Sequence, residues 1–205
     1  MSFYGDRVLP HVINVVMNTK QTRLIRERVC ADLTGDVVEI GFGTGHNLPF
    51  LPPTVRSLKA VEPAGLGVQL AKERIAAAGV PVHVVGLDGQ NLPIEDASAD
   101  AVLCTWSLCT IPDPTAAVRE MRRVLRPGGR LHFVEHGRAP DEKVRRWQDR
   151  LNGIQQRMAG GCNLNRDIPA ILAAGGMRIA ELDTFYGKGE PKPYGYLYEG
   201  RATAD

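Results

Sequence analysis

The chain predicts an α/β protein: a mostly parallel twisted sheet with helices on both faces and an antiparallel strand near the C-terminus. Three observations carry this. From Gly35 to about residue 136, short runs rich in Val, Leu and Ile alternate with helical stretches, the pattern of strand, crossover helix and parallel strand. Those runs are apolar at nearly every position, as strands covered on both faces must be. Beyond them, MRIAELDTFY and YGYLYEGRA flank the breaker run GKGEPKP and read as a terminal pair of strands.

The elements follow in order. Leu24, Ile25, Val29 and Leu33 stripe an N-terminal helix preceded by an apolar patch from Val8 to Met17. Strands are expected at 36–41, 57–63, 82–86, 100–106 and 130–136. A helix at 65–78 ends on Gly79, and another at 114–125 puts Val118, Met121 and Leu125 on one face. Pro127-Gly128-Gly129 stops that helix and turns into the next strand. Residues 141–158 carry Val144, Trp147, Leu151, Ile154 and Met158 three and four apart, a single apolar seam. A last helix is expected to start at the cap Asn165 and stop at Gly175-Gly176.

With 205 residues the chain fits one domain, read as a helical cap at 1–34, a ligand-binding core at 35–137, and acceptor-side helices and terminal strands at 138–205. A 43% hydrophobic content and 25 basic against 23 acidic residues argue for a packed core and against a nucleic-acid footprint. No apolar run reaches membrane-spanning length, and MSFYGDRVLP lacks the charge and apolar stretch of a signal peptide. The cysteines, Cys30, Cys104, Cys109 and Cys162, form no CxxC pair and no spacing that joins them to His as zinc ligands. The expectation is a reduced, cytoplasmic protein without a metal.

The strongest local signal is Glu39-Ile-Gly41-Phe-Gly43-Thr-Gly45 at the end of the first strand of the alternating part. Glycines there let the backbone approach a ligand at the carboxyl edge of the sheet, where open α/β folds bind. Glu62 follows at the end of the next strand, where a carboxylate can accept from both hydroxyls of a ribose. A nucleoside ligand is implied. The dinucleotide pattern G-x-G-x-x-G is broken by His46 at its third glycine, which weakens a nicotinamide oxidoreductase reading.

At this point the sequence resembles the class I S-adenosylmethionine-dependent methyltransferases, whose first motif is an acidic residue followed by G-x-G-x-G. The order continues with Glu62, Asp88 in GLDGQNLP, DAVLCTWSL, and LRPGGRL before the fifth strand. The resemblance implies a Rossmann-like seven-stranded sheet and S-adenosyl-L-methionine as cofactor. It implies that Glu39 opens the first motif, that Gly41, Gly43 and Gly45 line the methionine portion, that Glu62 holds the ribose, and that Asp88 and Gly89 meet the adenine edge. Asp88 before Gly also suits an ordinary turn.

Closer resemblance lies with the methyltransferase-like seven family of thiol S-methyltransferases, carried by CTWSLCTI, RLHFVEHG, GCNLNRD and the terminal PYGY. It implies a small-molecule thiol acceptor. Quinone C-methyltransferases share the cofactor motifs and the NLP at 91–93, so a quinone or phenol C- or O-methyltransferase is the alternative; a non-catalytic adenosyl-binding module is the third reading. Trp106 and Leu108 are expected to wall the acceptor pocket. Asn163 either bonds the acceptor or organises the entry to the next helix. His136, after the fifth strand, is the candidate general base if one is used. A thiol titrates at about 8.5, so a base is optional. Cys109 reads as a small core residue rather than a nucleophile.

Overall fold

The computed structural model describes residues 7–63, 65–86 and 88–204. The first six residues of the expected cap, and Leu87 of the 86–93 motif, lie outside them. The elements run α1 (Leu9–Val16), α2 (Lys20–Cys30), β1 (Gly35–Ile40), β2 (Val55–Val61), α3 (Gly65–Leu70), α4 (Lys72–Ala76), β3 (Val82–Gly86), β4 (Ala99–Thr105), α5 (Pro114–Val124), β5 (Leu125–His136), α6 (Glu142–Met158), α7 (Ile168–Ala174), β6 (Arg178–Tyr186) and β7 (Tyr196–Thr203). They form one seven-stranded sheet in the order β3-β2-β1-β4-β5-β7-β6. β1 to β5 pair in parallel, and β7 lies antiparallel between β5 and β6.

Strand alternation divides the core in two. Val38 and Ile40 of β1, Val102 and Cys104 of β4, and Phe133 of β5 pack under Val118 and Met121 of α5 and Ile168 and Leu172 of α7. Val37, Ala101, Leu103 and Val134 point the other way, onto Ile25 and Val29 of α2. The same parity sends Glu39 toward α2, and puts Cys104 and Glu135 on the side of α5 and α7. The strand order reverses between β1 and β4. Their carboxyl ends therefore open the crevice in which such sheets bind ligands.

Several local expectations are corrected. The stretch 65–78 is two short helices that break at Ala71, whose side chain is wholly buried against the turn after β1. The last helix is capped by Asp167 rather than Asn165: the Asp167 carboxylate accepts from the Ala170 N–H at 3.1 Å, while Asn165 bonds Asp149. Pro127-Gly128-Gly129 is a bulge inside β5, and the β4 register jumps there from Leu125 to Arg130. The α6 seam is largely uncovered. Val144 is buried, but Trp147, Ile154 and Met158 are exposed, and the second buried residue is Gln148. Gln148 bonds the Ala139 N–H and the Gly137 and Pro193 carbonyls, tying α6 to the end of β5.

Candidate active site

The glycine loop leaves β1 with Gly41 at φ 72°, Gly43 at φ 58° and Gly45 at φ 74°, backbone that favours glycine. A Cβ at Gly41 would lie 1.9 Å from the Ser107 hydroxyl, whereas one at Gly43 would meet nothing nearer than 3.9 Å. Gly41 thus lets the loops after β1 and β4 touch, and Gly43 is the open floor of a cradle. Glu62, at the end of β2, accepts the Gly43 N–H at 2.6 Å. Asp88 is exposed at the end of β3, where its carboxylate accepts the Gln90 N–H at 2.8 Å and so forms a turn. Gly89 follows against Ile40.

Beneath the cradle lies a buried polar network that spacing did not reveal. Arg26 of α2 donates to Asn47 at 2.6 Å and to Thr105 at 3.2 Å, and Asn47 donates to Glu39 at 2.7 Å. The Arg26 guanidinium also stacks over the Trp106 ring, 4.8 Å from its centroid. Burial pushes the Glu39 carboxyl up to about 8, against the pull of Asn47 and Arg26. Its Oε2 and the Thr44 hydroxyl are buried with no hydrogen-bond partner among the described residues.

The sign of the resulting pH effect follows from linkage. A carboxyl with a raised folded pKa stabilises the fold at low pH, and that contribution is lost as pH rises through about 8. His46 and His132, both lowered to about 4 chiefly by burial, act oppositely at acid pH, so the effect is read above neutrality. Between pH 7 and 9 the melting temperature of the wild type is expected to fall more than that of Glu39→Gln, which imitates the protonated form. Parallel melting curves would show that Glu39 does not titrate between pH 7 and 9.

The loop after β4 is held from both sides. Trp106 takes φ 51°, strained for a non-glycine residue. The next three backbone N–H groups, of Ser107, Leu108 and Cys109, all donate to the buried Glu135 carboxylate, at 2.7, 3.0 and 3.3 Å. From the opposite side the Asn163 backbone and side-chain N–H groups donate to the Cys109 carbonyl, at 2.8 and 3.0 Å. Arg166 donates to the Leu108 and Ile111 carbonyls. Segments 104–111, 130–137 and 161–167 are therefore one locked unit. Within it Leu108 is fully enclosed in the core, and Trp106 keeps some exposed surface. Asn163 spends its side-chain oxygen on Gln156 at 2.6 Å.

His136 ends β5 with Nε2 3.2 Å from the Cys162 sulfur, and that sulfur lies 3.4 Å from Cys109. Burial acts to lower the imidazole pKa, but the Cys162 thiol and the Glu135 carboxylate carry it above its ordinary value. α1 lies across this edge: the Asn14 carbonyl meets His46 Nε2 at 3.1 Å, and Leu9 abuts Gly160 beside Cys162.

The methyltransferase domain family matches residues 38–133, from β1 through most of β5. Human thiol S-methyltransferase TMT1A is 33% identical over 144 residues, covering 64% of this chain and 55% of the relative. Demethylmenaquinone methyltransferase of Clavibacter sepedonicus is 29% identical over 135 residues, covering 65% and 55%. The chain spans about half the length of the curated relatives it matches. An S-adenosylmethionine-dependent methyltransferase structure from Thermotoga maritima superposes with a TM-score of 0.69 at 20% identity, covering 98% of this chain and all of that one, which is a likeness of fold. These likenesses, the methyltransferase domain over residues 38–133 above all, support a class I S-adenosylmethionine-dependent methyltransferase.

Proposed function

We propose that the chain transfers the methyl group of S-adenosylmethionine to a small acceptor thiol. The cradle fits the cofactor. Gly43 leaves room for a ligand against the backbone, and Glu39 Oε2 and the Thr44 hydroxyl are buried polar atoms that a polar or cationic ligand resting there would satisfy. Gly41, Gly43 and Gly45 would hold the methionine portion, Glu62 the ribose hydroxyls, and Asp88 with Gly89 the adenine edge. When bound, the cofactor supplies an electrophilic methyl on a sulfonium. The chain's own residues exclude water, fix the loop after β4 and orient the acceptor, with Trp106 as one wall.

The observation that carries the thiol reading is the engagement of the acid–base groups at the end of β5. Glu135 is committed to three backbone N–H groups and His136 to the Cys162 thiol. An acceptor that ionises without a protein base suits such an edge, since a thiol is a few per cent thiolate at neutral pH and needs mainly in-line positioning. A phenol, with a pKa of about 10, would call on His136 as its base. Relatives named thiol S-methyltransferases, at 32–34% identity, support the same choice.

Incubation with methyl-labelled cofactor and a panel of thiols, phenols, quinols and carboxylates tests this. Labelled thioether is expected, at a rate that rises with pH until the thiol is ionised. Robust O- or C-methylation with inert thiols would overturn the acceptor assignment and favour the quinone or phenol alternative.

A further inference from the structure

Three ligating side chains, distant in sequence, end at one point. Cys109 comes from the loop after β4, His136 from the end of β5 and Cys162 from the turn after α6. Their sulfur and nitrogen atoms all lie within 4.8 Å of one another, and the residues are 1%, 9% and 7% exposed. We propose that Cys109, His136 and Cys162 bind a zinc-class divalent cation whose fourth position is open to the acceptor thiol. The second half of this deepens the thiol reading and rests on it; the first does not.

The donor set selects the metal. Two sulfurs and an imidazole suit zinc and its borderline neighbours, whereas calcium and magnesium take oxygen. Tetrahedral zinc, with bonds of about 2.3 Å to sulfur and about 2.0 Å to nitrogen, sets its ligands about 3.8 Å (S to S) and about 3.5 Å (S to N) apart. The observed separations are 3.4 Å between the sulfurs and 3.2 Å from Cys162 to His136. Those two pairs open by a few tenths of an ångström, and Cys109 and His136, within 4.8 Å of each other, draw together to admit the ion. Three protein ligands are the number that catalytic zinc sites use, leaving one position for water or substrate.

A disulfide is the competing use of the two sulfurs. It would close 3.4 Å to about 2.05 Å and take the imidazole's sulfur partner away. Convergence of all three donors favours the cation. The positions are also fixed beforehand: Glu135 holds the Cys109 N–H, Asn163 holds the Cys109 carbonyl, and His136 is paired with Leu197 in the β5–β7 ladder. Ser107, two residues before Cys109, touches the backbone at Gly41, so the loop that carries Cys109 adjoins the cofactor cradle. An acceptor thiol entering the fourth position replaces water, and its proton leaves to solvent as its sulfur binds as thiolate.

The test is cobalt substitution in the full-length reduced protein after treatment with a chelator. Co2+ is expected to bind at one equivalent with the intense visible bands of a tetrahedral thiolate site, and Zn2+ to bleach them. 2-Mercaptoethanol is expected to shift the bands, and phenol to leave them unchanged. Cys109→Ser and Cys162→Ser should each weaken Co2+ binding by more than the roughly 10- to 100-fold that loss of an outer partner costs, while Cys30→Ala keeps the spectrum. Circular dichroism of each variant checks the fold. Wild-type protein that melts cooperatively yet gives no cobalt bands overturns the metal site, as does hydrogen peroxide linking Cys109 to Cys162, with two waters formed, in protein that takes up no metal. Bands indifferent to thiol overturn the open fourth position. Methylation of oxygen acceptors with thiols inert, the bands persisting, defeats the thiol reading alone.

Discussion

Glu135→Ala is expected to destabilise the chain by about 3 to 5 kcal/mol, lowering its melting temperature by roughly 6 to 20 °C. The carboxylate is fully enclosed and accepts three consecutive backbone N–H groups and the Cys104 thiol, so truncation strands several donors where water does not reach. Each stranded donor costs about 1 to 3 kcal/mol, reduced where the loop relaxes toward solvent. Burial raises the Glu135 pKa above the ordinary carboxylate value while the backbone donors pull it down, so the folded loop works to keep the charge. The loop also carries the strained Trp106, which persists because its neighbours over-determine it. Glu135→Gln retains one carbonyl oxygen for the Ser107 and Leu108 groups and presents an amine to Cys109, so it should fall between wild type and Ala. A Glu135→Ala protein melting within about 2 °C of wild type would show that this loop is held by Asn163 and Arg166 alone.

Glu135 also marks where reading the sequence stops. The five parallel strands were legible because burial on both faces leaves near-continuous apolar runs, and the cradle because positive φ at a strand end demands glycine. Glu39, Gly41, Gly43 and Glu62 fall together because each sits at or just past the end of β1 or β2, so order along the chain becomes adjacency across the sheet. Glu135 and Arg26 carry no such signal. A charged residue inside an apolar strand or on a helix face acquires its role from partners 27 and 21 residues away, at Leu108 and Asn47. The Cys109, His136 and Cys162 cluster was hidden for the same reason, since two separate loops and a strand end supply it. The α6 seam misled in the opposite direction: its period was right, yet of the residues that set it only Val144 is buried and Leu151 half-buried, because Gln148 and the β5 end, more than apolar contact, fix the helix.

The second large effect falls on cofactor affinity. Glu62→Ala should weaken S-adenosylhomocysteine binding, followed by calorimetry, by about 1 to 3 kcal/mol, or about 5- to 150-fold. Two ribose hydroxyls would lose their acceptor, and the Gly43 N–H, 2.6 Å from the carboxylate, would lose the contact that shapes the cradle. Glu62→Gln separates these contributions. Its amide oxygen still accepts from Gly43, so the melting temperature should stay within about 2 °C of wild type, but its amine cannot accept from a hydroxyl and affinity should still fall. Equal binding by wild type and Glu62→Ala would remove Glu62 from the ribose site and leave it as a loop anchor. Micromolar binding of NADH without binding of S-adenosylhomocysteine would be a different failure: the acidic residue would keep its ribose, and the sulfonium chemistry built on the cradle would be lost.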